Sequence, residues 1–200
     1  MKLLFATTNQ GKLKEAYQLL SGCNIKLLSV KDFKELHGVV VNESGETFKQ
    51  NAFLKAETYG SLAQILTVAE DAGLVVDALN GRPGVQSARF GSNVNERNQR
   101  LLKMMQDKKN RQARFISTFC LYNPKTKEAK YFIGKIEGQI ATETRGNKGF
   151  GYDPLFIPSG YEQTFGELGS EVKNKISHRK QAMEKLKTLM LSLSGEQKII

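Results

Sequence analysis

Short apolar runs alternate along this chain with segments whose apolar residues recur at helical spacing, and this alternation limits the possible folds more than any other feature. Leu3 to Ala6 is an apolar run typical of a buried strand, and Leu13, Ala16 and Leu20 follow it at helical spacing. Interleaved strands and helices of this kind indicate an α/β protein. No repeat, low-complexity tract or proline-rich linker divides the chain, so we expect one domain over residues 1–200, or two closely joined lobes.

The same patterns predict the remaining elements. Apolar and β-branched runs indicate further strands at 65–69, 74–79, 114–122, 130–133 and 155–157. A second helix is marked by Phe48, Ala52 and Ala56. We expect it to begin near Ser44, with Glu46 in its first turn. Four residues at helical spacing mark the core face of a carboxy-terminal helix: Met183, Leu186, Met190 and Leu193.

The composition is that of a folded protein with an unusually basic charge balance. Hydrophobic residues make up 40% of the chain and charged residues 25%, which excludes a disordered tail. Thirty Lys and Arg face 20 Asp and Glu, for a formal net charge of +10. Such a charge favours anionic partners such as nucleic acid, a membrane surface or a polyphosphate. A well-solvated basic surface is the alternative explanation.

The amino terminus and the cysteines indicate where the protein works. The apolar run within Met1 to Ala6 is too short for a signal peptide or a membrane span. Cys23 and Cys120 are far apart and lack the spacing of metal ligands, which fits a reducing cytosol. We therefore expect a cytoplasmic protein that does not act in a membrane.

Two adjacent carboxylates, Glu70 and Asp71, follow the predicted strand at 65–69. We predict that the strand ends at this pair and that a loop opens there. Carboxylates in such a place can hold Mg²⁺ against a phosphate. An ordinary solvated acidic turn is the alternative interpretation.

A polar, glycine-containing segment, Thr7 to Lys12, connects the first predicted strand to the first helix. Backbone N–H groups at a helix amino terminus attract anions, and Lys12 adds a full positive charge. The glycine spacing of a P-loop is absent. A helix simply capped by Thr8 or Asn9 is the alternative.

Three further segments carry side chains suited to a nucleotide. Asn51 and Lys55 lie four residues apart on one face of the second helix. An ordinary solvated polar face is the alternative interpretation of this pair. Glycines surround Phe150 in the segment 146–154, so a flat ligand can approach the backbone and stack on the ring, although a structural turn explains them too. The segment 173–179 is expected to open the last helix, and its donors, including His178, suit an anion or a carbonyl oxygen.

Taken in order, these segments resemble the inosine triphosphate pyrophosphatase family, which acts on non-standard purine nucleoside triphosphates. The matching stretches include Ala-Glu-Asp-Ala-Gly-Leu (69–74), Gly-Phe-Gly-Tyr-Asp-Pro (149–154) and Ile-Ser-His-Arg (176–179). The others are residues 6–12, 45–56 and 83–90, so the resemblance spans nearly the whole chain. It implies an elongated mixed α/β fold with flanking helices and two lobes around a central cleft, commonly a homodimer.

The resemblance also implies roles for individual residues. Glu43 and Asp71 would bind Mg²⁺, with Asp71 also the base that activates water and Glu70 a further acidic group beside it. Asn51, Lys55 and Lys173 would contact phosphates or neutralise charge. The triphosphate would be held by Thr7, Thr8, Asn9, Gln10, Gly11 and Lys12. Phe150 would stack on the base, and Asp153, His178 and Arg179 would read its edge. Gly151 and Tyr152 would also belong to the substrate-binding site.

This chain departs from the family pattern at a few positions. Ala72 stands where the family often has Ser, so one hydroxyl contact to the substrate is missing. Glu70 replaces a common Asp and is one methylene longer, and Asn147-Lys148 replaces small residues. We expect these changes to affect rate and affinity more than the type of reaction.

The family implies hydrolysis of ITP, dITP and XTP to the monophosphate and pyrophosphate with Mg²⁺, which cleanses the nucleotide pool. A nucleoside triphosphate carries about four negative charges, so metal and lysines are needed before water can approach it. A basic nucleic-acid-binding module is the rival hypothesis, with Phe150 and Tyr152 stacking on bases. That hypothesis leaves Glu43, Glu70 and Asp71 unexplained, because carboxylates repel a phosphate backbone.

Overall fold

The computed structural model describes residues 1–196, with side chains described through residue 192. The chain divides into two compact units. The first comprises residues 1–71, 117–134 and the chain from Arg179 onward. The second comprises residues 72–116 and 135–178.

Six strands and five α-helices alternate along the described chain, which confirms the predicted α/β class. The strands are β1 (Lys2–Phe5), β2 (Lys26–Ser29), β3 (Thr67–Val76), β4 (Gln112–Asn123), β5 (Glu128–Ile140) and β6 (Phe156–Pro158). The helices are α1 (Gln10–Leu19), α2 (Phe48–Ala63), α3 (Val94–Met104), α4 (Phe165–Ile176) and α5 (His178–Glu196). Because β3, β4 and β5 are long, each contributes residues to both units.

The strands form a mixed sheet. In the first unit the order is β2-β1-β3-β4-β5, and in the second it is β3-β4-β5-β6. Strand β1 pairs in parallel with β2, where Leu3 faces Leu27, and in parallel with β3, where Phe5 faces Val68. Strands β5 and β6 pair antiparallel.

In the first unit the sheet is covered by helices on both faces. Leu3 and Phe5 of β1 belong to one apolar cluster, together with residues of α1 and α5. Leu4 and Ala6, which alternate with them, belong to a second cluster with residues of α2. This alternation follows from the two-residue period of a strand, and it makes β1 apolar throughout because both of its faces are buried.

The second unit has its own core, which is rich in aromatic side chains. Phe115 and Phe156 lie with ring centroids 4.6 Å apart, and Phe156 stacks on Phe165 at 5.6 Å. Leu74 and Val76 of β3 pack into the same cluster. Each unit therefore buries a separate apolar core.

The predicted break in the third strand is wrong. Strand β3 runs without interruption from Thr67 to Val76, so the acidic pair lies within it and not at its end. Both side chains are buried, with 3% of Glu70 and 7% of Asp71 exposed. Asp and Gly are poor strand formers by themselves. Tertiary partners of the two carboxylates, described below, override that local preference.

Two helix boundaries also differ from the prediction. Helix α2 begins at Phe48 and is capped by Thr47 in a capping box with Gln50, so Glu46 precedes the helix. Lys173 belongs to α4, which the sequence analysis did not predict as a separate helix, and α5 begins at His178 after Ser177. Met183, Leu186 and Met190 are buried as expected, while the side chain of Leu193 lies outside the described residues.

Candidate active site

The two acidic residues of β3 point to opposite faces of the strand. They are neighbours in an extended chain, whose side chains alternate between faces. Val68, two residues before Glu70, packs in the cluster with α1 and α5. Ala69, two residues before Asp71, packs in the cluster with α2. The acidic pair therefore divides into two sites with different partners.

On one face, a set of buried charges surrounds Glu70; we call it the Glu70 cluster, and it consists of Lys12, Glu15, Glu70, Ser117 and Arg179. Arg179 Nε donates to the two carboxylate oxygens of Glu70 at 2.9 and 3.0 Å. Ser117 Oγ donates to Glu70 at 2.6 Å, and Lys12 Nζ lies 3.3 Å from its other oxygen. Arg179 also pairs with Glu15 at 2.7 Å. Two cations thus face two carboxylates.

The charges of the Glu70 cluster fix its protonation state. Burial alone would raise the pKa of Glu70, but the charges of Arg179 and Lys12 hold that pKa well below its usual range. Burial would lower the pKa of Arg179, yet Glu70 and Glu15 raise it. Burial lowers the pKa of Lys12, and Glu70 opposes that effect. Glu70 is therefore a permanent anion near neutral pH and a poor proton acceptor.

On the other face, Asp71 lies among Glu43, Asn51 and Lys55; these four residues are the Asp71 cluster. Lys55 Nζ lies 3.1 Å from Asp71 Oδ1 and 3.1 Å from Glu43 Oε1. Asn51 Nδ2 donates to Asp71 Oδ2 at 3.3 Å. Asn51 and Lys55 reach the same carboxylate because they lie one turn apart on α2.

Asn51 also fixes the loop that carries Glu43. Its Oδ1 accepts a hydrogen bond from Gly45 N at 2.8 Å, and its Nδ2 donates to Gly45 O at 3.2 Å. A Cβ on Gly45 would lie 2.7 Å from Asn51 Oδ1 and 2.6 Å from Gln50 Cβ, so only glycine allows this approach. The Asn51 side chain is completely buried, and it joins the Glu43 loop to Asp71.

The environment of Asp71 differs from that of Glu70. Burial raises the pKa of Asp71, and the nearby Lys55 only partly offsets this effect. A carboxylate with a raised pKa is a stronger proton acceptor, which suits a general base. Of the two acids, Asp71 has the environment expected for catalysis.

The Asp71 cluster offers two carboxylates to a metal ion. Within residues 1–192, no group of three or more His, Cys, Asp or Glu side chains is placed to hold a metal. Zinc sites need three or four protein ligands, whereas Mg²⁺ is commonly bound by one or two carboxylates together with water and substrate phosphates. The pair Glu43 and Asp71 therefore fits Mg²⁺ and does not fit zinc.

The predicted phosphate segment comprises part of the connection from β1 to α1 and the start of α1, and it is partly open to solvent. Asn9 is the N-cap of α1, and its side chain accepts a hydrogen bond from Lys12 N at 3.1 Å. Thr7 Oγ1 accepts from Asn9 N at 3.2 Å. Thr8, Asn9 and Gln10 are exposed, and Thr7, Gly11 and Lys12 are half-buried. The helix cap and an anion site are compatible here, and phosphate binding stays a prediction.

In the second unit, Phe150, Asp153 and Lys173 form a compact group. Asp153 Oδ2 accepts hydrogen bonds from Phe150 N at 2.7 Å and from Lys173 Nζ at 2.6 Å. Lys173 Nζ also lies 4.1 Å from the Phe150 ring centroid. Gly149, with φ of +80°, allows this group, because a Cβ there would lie 2.1 Å from Asp153 Oδ2. Phe150 remains 38% exposed.

The residues that follow Phe150 are fixed by the core of the second unit. Tyr152 is buried and donates its hydroxyl to Ser87 O at 2.9 Å, and burial raises its pKa to about 12. Asn98 Nδ2 donates to Gly151 O at 3.3 Å. These contacts fix Gly151 and Tyr152, the two residues that follow the exposed Phe150 ring.

The remaining predicted residues are distributed between the units. His178 is buried in the second unit and stacks on Phe115 with ring centroids 4.9 Å apart. Arg179, which the sequence analysis grouped with His178, belongs to the Glu70 cluster of the first unit. Ala72 is a half-buried residue of β3. The roles expected for these residues in recognising the base stay predictions.

Two residues of the Glu70 cluster, and one glycine beside the Asp71 cluster, were missed by the sequence analysis. Ser117 lies in an apolar strand and carries no local signal of its role. Glu15 lies three residues after Lys12, and this spacing places both residues on one helix face. That spacing was the only sequence signal that Glu15 belongs near Lys12. Gly45 was noted only as part of a motif, and its close approach to Asn51 becomes evident from the fold.

The fold and the two clusters together define an α/β protein with buried sites built from carboxylates and lysines. A sequence model of the Ham1 family matches residues 3–189. The chain therefore belongs to the Ham1 family.

Curated relatives agree with this assignment. The chain is 40% identical over 198 residues to a protein of Aquifex aeolicus named dITP/XTP pyrophosphatase, covering 93% of this chain and 95% of the relative. It is 41% identical over 190 residues to a protein of the same name from Oceanobacillus iheyensis, covering 92% and 95%.

Solved structures of two Ham1 proteins are similar to this one. The Coxiella burnetii HAM1 protein has a TM-score of 0.89 at 35% identity, over 96% of this chain and 99% of that one. The Staphylococcus aureus Ham1 protein has a TM-score of 0.87 at 32% identity, over 98% and 100%.

Proposed function

We propose that this protein hydrolyses the non-standard purine nucleoside triphosphates dITP, XTP and ITP to the monophosphate and pyrophosphate. The observation that carries the proposal is the Asp71 cluster, in which a buried carboxylate suited to proton transfer lies beside a second carboxylate and a lysine. Its relatives named dITP/XTP pyrophosphatase support the choice of substrate and of the bond that is cleaved.

Glu43 and Asp71 would hold Mg²⁺ in this proposal. When bound, Mg²⁺ neutralises phosphate charge and lowers the pKa of water. Asn51 keeps the two carboxylates in place through its bonds to Gly45 and Asp71. The pair of carboxylates thus has a rigid support that depends on one buried amide.

Asp71 accepts the proton of the attacking water. The water oxygen bonds to the α-phosphorus, and the bond from that phosphorus to the bridging oxygen breaks. The electron pair leaves with the bridging oxygen on pyrophosphate. Lys55 and Lys12 stabilise the negative charge that moves onto the leaving group.

The partners of Glu70 support a role other than the one that the resemblance implies. We propose that it acts as a positioning residue, since its oxygens are bonded to Arg179, Ser117 and Lys12. As a buried anion it keeps Lys12 charged and directed toward the phosphate segment. This role requires no contact between Glu70 and the metal.

Base recognition by the Phe150 group remains a prediction of the resemblance. An exposed ring held by its neighbours suits stacking on a purine.

We also keep two broader expectations, a homodimer and a cytoplasmic location. No helix among residues 1–196 has the length and apolar content needed to cross a membrane.

The test is pyrophosphate release from dITP, XTP, ITP, dATP and GTP, each with Mg²⁺ and with excess chelator. We expect rapid release from the first three only, and only with Mg²⁺. A salt-dependent DNA titration in parallel addresses the rival hypothesis of a nucleic-acid-binding module. Tight DNA binding without nucleotide hydrolysis would favour the rival and exclude the proposed function.

A further inference from the structure

Lys55 is bound by the same two carboxylates that the proposed function assigns to Mg²⁺. Its ammonium lies 3.1 Å from both Glu43 and Asp71. The side chains of Lys55 and Asp71 are only 12% and 10% exposed, and that of Glu43 is 27% exposed. Partial shielding from water strengthens this three-membered arrangement relative to an exposed ion pair.

An ammonium and a divalent cation both bind through the negative charge of these carboxylate oxygens. Mg²⁺ approaches carboxylate oxygens to about 2.0–2.1 Å, and a lysine ammonium bridging the same two groups would repel it. We propose that Lys55 and a divalent cation compete for Glu43 and Asp71, so that metal binding requires the ammonium to leave them. This inference rests on the proposed function, because it takes these two carboxylates as the metal ligands.

The exchange has a consequence for substrate binding. A released lysine keeps its charge and has a flexible four-carbon stem with three donors. With the proposed substrate bound, its phosphate chain supplies an anion that the displaced ammonium can neutralise. Metal entry and neutralisation of the phosphates by Lys55 are therefore coupled events.

The surroundings of Lys55 allow this movement without loss of the site. Asn51 is completely buried and bonded to Gly45 and Asp71, so the carboxylates keep an internal support when the ammonium leaves. Lys12 takes no part, because it pairs with Glu70 on the opposite face of β3. The exchange is confined to one lysine.

The experiment measures Mn²⁺ binding to metal-stripped protein in the absence of nucleotide, from the paramagnetic resonance signal of free Mn²⁺. Lys55→Met keeps an unbranched side chain that is one atom shorter and removes its charge. We expect this variant to bind Mn²⁺ roughly tenfold more tightly than the unaltered protein, while losing dITP hydrolysis. Lys55→Gln provides a second neutral variant if Lys55→Met does not fold.

The matched control is Lys49→Met on the same helix. Lys49 Nζ lies 4.5 Å from the ring centroid of Tyr131, so this variant removes an equal charge elsewhere on α2. Its Mn²⁺ affinity should equal that of the unaltered protein. A melting curve gives a second readout, because Mn²⁺ should raise the Tm of Lys55→Met more than that of the unaltered protein.

The outcomes separate this inference from the proposed metal site. Equal Mn²⁺ affinity with and without the Lys55 charge, together with weaker binding in Glu43→Gln, overturns the competition and leaves the metal site standing. Mn²⁺ affinity that depends on neither Glu43 nor Asp71 overturns the metal site itself, and the competition with it.

Discussion

Two acidic residues that are adjacent in the chain have different environments because their side chains lie on opposite faces of a strand. Glu70 is surrounded by Arg179, Lys12 and Ser117, and its pKa lies well below the usual range despite its burial. The pKa of Asp71 is raised by burial. At the scale of single residues, this contrast is the reason for proposing Glu70 as a structural anion and Asp71 as the proton acceptor.

Asp71→Asn should remove activity without unfolding the protein. The amide keeps the size of the side chain. It cannot accept a proton from water, and it binds a metal more weakly than a carboxylate does. We expect kcat for dITP to fall by about 10²–10⁴-fold, the usual contribution of a general base. The free energy of unfolding, measured in urea, should be unchanged or slightly higher, because burying the charged form of Asp71 is unfavourable.

Glu70→Gln should instead reduce stability. Removal of the carboxylate charge leaves Arg179 and Lys12 without their shared buried anion, and breaking such a buried pair costs about 3–5 kcal/mol. Urea unfolding at neutral pH measures this loss. If the Glu70→Gln variant were as stable as the unaltered protein, Glu70 would not have the structural role given to it.

The stability lost in the Glu70→Gln variant should depend on pH. The folded pKa of Glu70 is depressed, so its contribution to stability is present above its unfolded pKa and declines as the pH falls toward the folded value. The stability difference between the two proteins should therefore be constant near neutral pH and shrink below about pH 4. A difference that grew on acidification would contradict this assignment.

At the scale of elements, the site depends on where α2 begins and on what precedes it. The capping box of Thr47 and Gln50 sets the first turn, so that Asn51 and Lys55 both reach Asp71. The helix and its apolar face could be predicted from its spacing. Its start was predicted too early, because an acidic residue before the helix was taken as the first turn and the Thr-x-x-Gln signature was overlooked.

Gly45→Ala should displace the loop that carries Glu43. The new Cβ would overlap Asn51 Oδ1, which now lies within hydrogen-bonding distance of Gly45 N. We expect the Mg²⁺ concentration needed for half-maximal activity to rise roughly tenfold, since about 1.4 kcal/mol of lost ligand placement corresponds to that factor. Ser44→Ala, at an exposed position of the same loop, is the control and should leave the Mg²⁺ dependence unchanged.

At the scale of the whole molecule, the order of strands and helices follows from hydrophobic spacing, but the extent of the strands does not. Strands β3, β4 and β5 each serve both units, and the predictions cut β3 in two and shortened β5. Local sequence preference underestimated the length of β3, because Glu70 and Asp71 in its middle are paired with side chains distant in sequence. The clearest case is Arg179, which lies 109 residues from Glu70 in the sequence. No local sequence pattern predicts the contact between these two residues.

The reactivity of the two cysteine thiols measures how readily the first unit opens. Cys120 lies in β4 with its side chain buried, and burial raises its pKa to about 12, whereas Cys23 is half-buried. One thiol per chain should react with a thiol reagent in the native protein and two in denaturant. Cys23→Ser should leave no reactive thiol in the native state; rapid labelling of that variant would show that the core around β4 opens readily.

The most direct test of the central claim is hydrolysis of dITP in water enriched in ¹⁸O, followed by phosphorus NMR. Attack at the α-phosphorus with Asp71 as the base predicts that the label enters dIMP and that pyrophosphate is unlabelled. Asp71→Asn should slow the formation of both products by about 10²–10⁴-fold. Label in pyrophosphate, or dIDP and orthophosphate as the first products, would contradict it.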